Sequence, residues 1–427
     1  MDFGVILIGS FFLLIIIGVP IAVSLGVSSL LGLWFSGQSL SIIAPTIYSA
    51  VSKYSLLAIP FFILAGLIME RVGISRRLVH FVETMLGGLR GGLALSTVVV
   101  AVFFAAISGS GPATVAAIGV VLIPALIKQG YNRGMAGALL SSAGSIGIII
   151  PPSVAFIVYA SLTQVSVADL FIAGMIPGLG LAASLVICNY IMIRGNKKIV
   201  APRTYTAKER WHAFRDALWG LLTPVIILGG IYSGIFTPTE SAGVAVVYGL
   251  FVGLFVYKEL SFRKLISVLV DSAVSTATVM YIVAFATLFA YLLTTSLLAH
   301  DLADGIIGMS GNTIIVLLLV NAILLVAGFF LDTISAYFIL VPVILPVAIG
   351  LGVDPIHLGV FMTVNLAIGQ FTPPVGVNLF VASNIGKIPV HELVWAVLPY
   401  MAASIVSLLL VTFIPQLSLW LPSLLSN

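Results

Sequence analysis

Residues 369–378 read GQFTPPVGVN. The stretch lies inside an apolar run long enough to cross a bilayer. Two consecutive prolines there remove two backbone donors, and their rings clash with the turn before them. Hydrocarbon supplies no replacement hydrogen bonds. Irregular backbone at that depth must therefore face protein or a water-filled cavity. How this break is accommodated decides the fold.

The rest of the chain establishes the solvent. Of 427 residues, 61% are hydrophobic and 7% charged, with a mean hydropathy of +1.25. Soluble domains carry about 25% charged residues. No soluble core hides this much apolar surface, so the chain reads as an all-α polytopic membrane protein. The net charge of +4 reflects basic loops, and no nucleic-acid partner is expected. Cys188 is the single cysteine and lies in an apolar span, so there is no disulfide framework or metal cluster. The N-terminal MDFGVILIGS has no Lys or Arg before its apolar run. That argues against a cleaved signal peptide and for a non-cytoplasmic N-terminus.

Ten crossings are expected, at 3–19, 21–36, 53–71, 135–163, 170–193, 216–235, 240–257, 272–297, 357–384 and 392–420. An amphipathic piece runs from Val72 to Leu89. Two apolar arms, 92–107 and 114–127, then flank the sequence SGSGPA. Each rises about 24 Å or less, short of the ~30 Å hydrocarbon core. They read as a re-entrant hairpin, as does 313–349 with its tip at GFFLDTIS, residues 328–335. With the N-terminus outside, 17 of the 18 Lys and Arg residues fall in cytoplasmic segments, and only Lys53 does not. The positive-inside rule supports that topology.

The two halves repeat. A shift of 222 residues carries Pro124 onto Pro346, Gly147 onto Gly369, Pro151-Pro152 onto Pro373-Pro374 and Pro177 onto Pro399, without a gap. Each half has five crossings, an odd number, so the second is inserted upside down. Inverted-topology repeats are typical of secondary transporters, with sites near the midplane where broken helices meet re-entrant tips. Here each half supplies one tip and one broken helix.

A diproline break frees carbonyls, which with nearby hydroxyls are hard oxygen ligands suited to Na⁺. Half-helix N-termini suit an anion. The tip SGSGPAT (108–114) offers Ser108, Ser110 and Thr114. Small-residue helix packing explains such a stretch equally simply, and it lacks the lysine and spacing of a phosphate-binding loop. Asp332, deep in the membrane, could ligate Na⁺, bind a proton, or cap the tip helix. Glu240 reads as first-turn capping beside Thr239. Asn365, Asn378 and Ser153 flank the breaks and could donate to a substrate. Asn189 and Asn321 read as inter-helix hydrogen-bonding groups.

At these residues the chain resembles a known family. SGSGPAT, GQFTPPVGVN, FTPTESAG and IPFFILAG together resemble the large membrane subunit of tripartite ATP-independent periplasmic (TRAP) transporters, the DctM/SiaM type. The resemblance implies Na⁺-coupled import of an organic acid, such as sialic acid or a C4-dicarboxylate, across the bacterial inner membrane. It implies a soluble periplasmic binding protein that delivers substrate. It also implies a separate small membrane subunit of the DctQ/SiaQ type, and termini on the periplasmic side. The implied fold is that of elevator carriers of the ion transporter superfamily. The chain would then divide into scaffold helices of the first half (1–90), transport elements (91–194), a cytoplasmic linker (195–215), scaffold helices of the second half (216–271) and transport elements (272–427).

Carried over residue by residue, one Na⁺ site would involve Ser108, Ser110, Ser145, Gly147 and Pro151. A second would involve Asp332, Thr333, Gly369 and Thr372. Substrate would sit near Ser110, Ser153, Asn365 and Asn378. Three competing readings are a standalone ion-coupled organic-anion carrier, a channel, and a membrane-embedded redox subunit. The last needs a chain of intramembrane Lys, Glu or His, which the topology does not provide.

Overall fold

Helices account for the regular structure of the chain because hydrocarbon leaves every backbone group to be satisfied within its own segment. The computed structural model describes residues 3–194, 199, 204–308 and 312–425, and among these there is no strand. Nine of the described helices are long and apolar enough to span a bilayer. Three of these nine, Gly111–Lys128, Thr313–Phe330 and Thr333–Gly350, are hairpin arms rather than crossings. Several true crossings are assembled from shorter pieces.

The repeat is visible in the helices themselves. A shift of 222 residues carries Gly111–Lys128 onto Thr333–Gly350, and Val154–Thr163 to within one residue of Val377–Gly386. It also accounts for a helix that hydropathy missed. Leu298–Gly308 is the counterpart of the amphipathic Ile74–Leu86, and each packs on the hairpin of its own half. The halves also differ. Ile43–Val51 and Tyr54–Arg71 are separated near Ser52, whereas their counterpart is the single 34-residue helix Phe262–Thr295.

Three boundaries depart from the sequence reading, one of them that of the eighth crossing, expected from 272, whose helix begins at Phe262. The helix expected from 216 begins at Ala207, inside the stretch read as linker. Thr206 caps it, with its N–H donating to Glu209 (2.8 Å) and the Glu209 N–H donating back to the Thr206 hydroxyl (3.3 Å). That reciprocal cap starts a helix in water, before hydropathy can register it. Residues 195–198 and 200–203 of the same stretch lie outside the described residues. The tenth crossing, expected to run to 420, stops at Phe413, and Gln416–Leu425 forms a separate helix beyond Pro415. Proline there supplies no N–H to continue the ladder.

Ala58–Arg71 packs against Pro238–Phe251 and Phe262–Thr295. Arg71 pairs with Asp271 at 2.9 Å, and Arg77 with Glu259 at 2.6 Å while lying 3.7 Å over the Tyr257 ring. These contacts join the first-half and second-half helices at the end the basic residues assign to the cytoplasm. The hairpins and broken helices form a second group in which the halves interleave. The Tyr159 hydroxyl donates to the Pro355 carbonyl (2.7 Å), and its ring lies 5.6 Å from that of Tyr337.

Asn189 and Asn321 make inter-helix hydrogen bonds, as the sequence suggested. The Tyr400 hydroxyl donates to Asn189 (2.8 Å), and the Asn365 amide donates to Asn321 (2.8 Å). Glu240 completes a capping box, with Thr237 rather than Thr239 as the cap residue.

Candidate functional site

The inner tip closes at Ser108-Gly109-Ser110, where one arm (Gly92–Ser108) ends and the next (Gly111–Lys128) begins. Gly109 takes φ +61, and a Cβ there would stand 2.7 Å from the Pro152 carbonyl of the first break. Ser108 and Thr114 share a hydrogen bond of 2.9 Å, and the Thr114 hydroxyl also donates to the Ser110 carbonyl (2.8 Å). Gly147 lies against this cluster. A Cβ on it would be 2.6 Å from the Ser110 carbonyl oxygen and 2.7 Å from the Thr114 hydroxyl. Three of the five residues assigned to the first ion site, Ser108, Ser110 and Gly147, are thus brought together. Ser145 and Pro151 are buried nearby, and the Ser145 hydroxyl turns back to the Ser142 carbonyl (2.7 Å).

At the outer tip Asp332 caps the helix Thr333–Gly350. One carboxylate oxygen accepts from the Ile334 and Ser335 N–H groups (3.0 and 3.1 Å), and the other from the Ser335 hydroxyl (2.5 Å). Of the three roles left open for this carboxylate, capping is directly visible. A carboxylate has about four acceptor positions, so its three bonds leave room for another ligand. The second broken helix meets the outer hairpin as the first meets the inner one. A Cβ on Gly369 would be 2.6 Å from the Gly328 backbone. The Thr372 hydroxyl is used across the break, donating to Ile368 (2.7 Å).

Both tips reach one cavity of about 300 Å³, whose wall includes Ser108, Ser110, Asp332, Thr333, Gln370 and Glu70. Tips from opposite halves meeting at one cavity is what re-entrant hairpins require. The opposite wall comes from Ile63–Glu70 on one packed helix and from Ser275 and Val279 on another. Among the described residues the lining has two carboxylates, Glu70 and Asp332, and no basic side chain.

Of the expected substrate residues, only Ser110 lines this cavity. The fully buried Ser153 caps Val154–Thr163 and donates to the Ile148 carbonyl (2.5 Å). Asn365 is turned toward Asn321, and the Asn378 amide donates to the Ser141 carbonyl (3.1 Å). Asn365 and Asn378 therefore join helices, where the sequence suggested contact with substrate.

Three polar lining residues, Glu70, Ser275 and Gln370, were not singled out from sequence. The Gln370 amide donates to the Thr333 hydroxyl (3.1 Å), while its oxygen lies 2.1 Å from where a Gly111 Cβ would be. It thereby touches both tips. Its signal was present, as a polar amide next to the diproline inside the opening stretch. Its register counterpart is Ile148, so the repeat does not point to it. Glu70 sits one residue before Arg71, which the sequence reading assigns to a cytoplasmic segment.

The family profile described as "Tripartite ATP-independent periplasmic transporter, DctM component" matches residues 8–417. The C4-dicarboxylate TRAP transporter large permease protein DctM of Pseudomonas aeruginosa is 46% identical over 94% of this chain and 94% of that protein. The sialic acid large permease SiaM of Vibrio cholerae is 35% identical over 96% of each. The isethionate TRAP permease DctMQ of Oleidesulfovibrio alaskensis is 42% identical over 97% of this chain, which spans 66% of that protein's length. Two solved structures share the fold at low identity. The YdaH transporter of Alcanivorax borkumensis has a TM-score of 0.61 at 15% identity, covering 92% of this chain and 89% of that one. MtrF of Neisseria gonorrhoeae also has a TM-score of 0.61, at 13% identity, covering 87% and 83%. With the inverted repeat, paired tips and broken helices in place, the chain belongs to the large permease proteins of the TRAP transporters, the DctM/SiaM family.

Proposed function

We propose that this chain imports an organic acid across the bacterial inner membrane, coupled to Na⁺, by an elevator movement of its hairpins and broken helices against the remaining helices. The reading is carried by one observation: both tips and Gln370 of the second break converge on a single cavity walled on its other side by Ala58–Arg71 and Phe262–Thr295.

Charge favours cation coupling. An organic anion entering a cavity that holds Glu70 and Asp332 meets repulsion and no lining cation. Burying uncompensated charge in low-dielectric surroundings is costly. Monovalent cations at the two tips would supply the missing charge. The oxygen ligands there, Ser108, Ser110 and Thr114 in one half and Asp332 and Thr333 in the other, suit a hard cation such as Na⁺.

The cavity extends to Glu70, at the end of Ala58–Arg71 that the basic residues assign to the cytoplasm. This arrangement is therefore read as the inward-facing one. By family, a small membrane subunit of the DctQ/SiaQ type and a soluble periplasmic binding protein complete the carrier, and both termini lie on the periplasmic side. The relatives take C4-dicarboxylates, isethionate or sialic acid by name, and this chain is assigned to the same broad class of organic acids.

The test is uptake into vesicles containing the chain and its small subunit, with candidate binding proteins added outside. Uptake should vanish when the Na⁺ gradient, the small subunit or the binding protein is omitted. Equal uptake by the chain alone without Na⁺ would refute the reading.

A further inference from the structure

In an elevator carrier the groups that hold the substrate travel with it. The tips and breaks therefore present the same ligands on both sides of the membrane. A difference in affinity between the two sides must come from the part that stays behind, because a state is favoured only by a differential interaction. The stationary wall of this cavity contributes one ionisable side chain, Glu70.

Glu70 is partly buried, and among the described residues it forms no hydrogen bond or ion pair. The neighbouring Arg71 is engaged with Asp271 at 2.9 Å and does not line the cavity. The other lining carboxylate, Asp332, is saturated on one oxygen by its cap bonds and moves with the outer tip. Glu70 is therefore a carboxyl group at the cytoplasmic end of the cavity, lining it together with both tips.

We propose that Glu70 is the release determinant of this carrier: its carboxylate weakens the hold on an anionic substrate only when the tips face it, and so expels that substrate toward the cytoplasm. The inference rests on the organic-anion and elevator reading above. Once the tips move toward the periplasm, Glu70 stays behind and the repulsion lapses. The same binding groups then hold the anion tightly outside and loosely inside. For a separation of about 8 Å, in surroundings between protein-surface and water polarity, the repulsion corresponds to about 2- to 30-fold in affinity per substrate charge.

The test uses the chain with its small subunit in nanodiscs, with radiolabelled butanedioate and 2-hydroxyethanesulfonate as probes in the presence of Na⁺. Glu70→Gln should bind 2-hydroxyethanesulfonate about 2- to 30-fold more tightly than wild type, and should bind butanedioate more tightly still and release it correspondingly slower. The gain should be larger for this dianion than for the monoanion, and should shrink as ionic strength rises. Glu70→Asp, which keeps the charge, should resemble wild type. A purely structural role would move neither the charge ratio nor the salt dependence. Unchanged or weaker binding in Glu70→Gln, or equal gains for monoanion and dianion, would overturn the proposal while leaving the organic-anion reading intact. If wild type binds neither probe nor any other organic anion, that reading fails and the proposal fails with it. If Glu70→Gln does not fold, the Glu70→Asp salt dependence decides: release from it and from wild type must slow as salt screens the carboxylate, and salt-independent release refutes the proposal.

Discussion

The α-carbon of Gly147 packs directly onto the carbonyl of Ser110, so closely that a Cβ would stand 2.6 Å from that oxygen. The first broken helix thereby touches the inner tip backbone to backbone. Its repeat partner Gly369 does the same against Gly328. These two glycines align in the 222-residue register, but their partners do not, since the register carries Ser110 onto Asp332, so each break meets the hairpin of its own half at a different point.

Gly147→Ala should force the inner tip away from the break. Neither neighbouring atom is the end of a flexible side chain, and overpacking of this kind costs about 1–3 kcal/mol. Thermal unfolding in detergent should begin at a lower temperature, and half-maximal uptake should need more Na⁺. A variant matching wild type in both would show that the tip has room to spare.

Asp332 can be separated into its cap and its charge. Asp332→Ser or Asp332→Asn keeps a side chain able to cap, whereas Asp332→Ala should lose about 0.5–2 kcal/mol. If the carboxylate also serves a cation, the two capping variants will fold as wild type yet lose Na⁺-dependent uptake. Retained Na⁺ dependence in both would restrict Asp332 to its cap.

Gln370 bridges the tips, so Gln370→Ala should release Thr333 and cost about 1 kcal/mol for the lost hydrogen bond. Hydrogen exchange at the outer tip (332–335) should quicken without a matching change in Ala58–Arg71 or Pro238–Phe251. Identical exchange would mean that the bridge carries no weight.

Lys53, the one basic residue outside the segments that the sequence reading assigns to the cytoplasm, donates to the Ser161 carbonyl at 2.7 Å. That bond joins the turn before Tyr54–Leu57 to the first broken helix, at the end opposite Glu70. In Lys53→Met, labelling of a cysteine placed at Gln164 by a membrane-impermeant thiol reagent should rise about fivefold, equivalent to about 1 kcal/mol. Unaltered labelling would show that Lys53 does not hold this face shut.

Much of the architecture was legible because hydrocarbon leaves few options. Apolar runs must be helical, prolines must break them, and basic residues mark one side. The repeat then fixed where the tips and breaks lie. It also contained the helix Leu298–Gly308, which hydropathy alone passed over because that segment mixes Asp301 and Asp304 with its apolar residues. Helix starts in water, such as Ala207, depend on capping rather than on hydropathy.

The site was legible in part. Hydroxyls and carboxylates at the tips could be named in advance, since a polar group in a membrane needs a partner or a function. Which way an amide turns could not. Asn365 and Asn378 flank the second break in sequence, as Gln370 does. Two of these three amides face neighbouring helices, and Gln370 alone lines the cavity.

The sequence by itself determined the solvent, the inverted repeat, the two tips and the two breaks, because these follow from local backbone chemistry and from charge. Only the tertiary structure decided which side chains share a cavity. It selected Glu70 and Gln370 and turned Ser153, Asn365 and Asn378 into braces. Residues three or four apart on one helix face the same way, but which neighbour that face meets depends on packing between segments more than 200 residues apart.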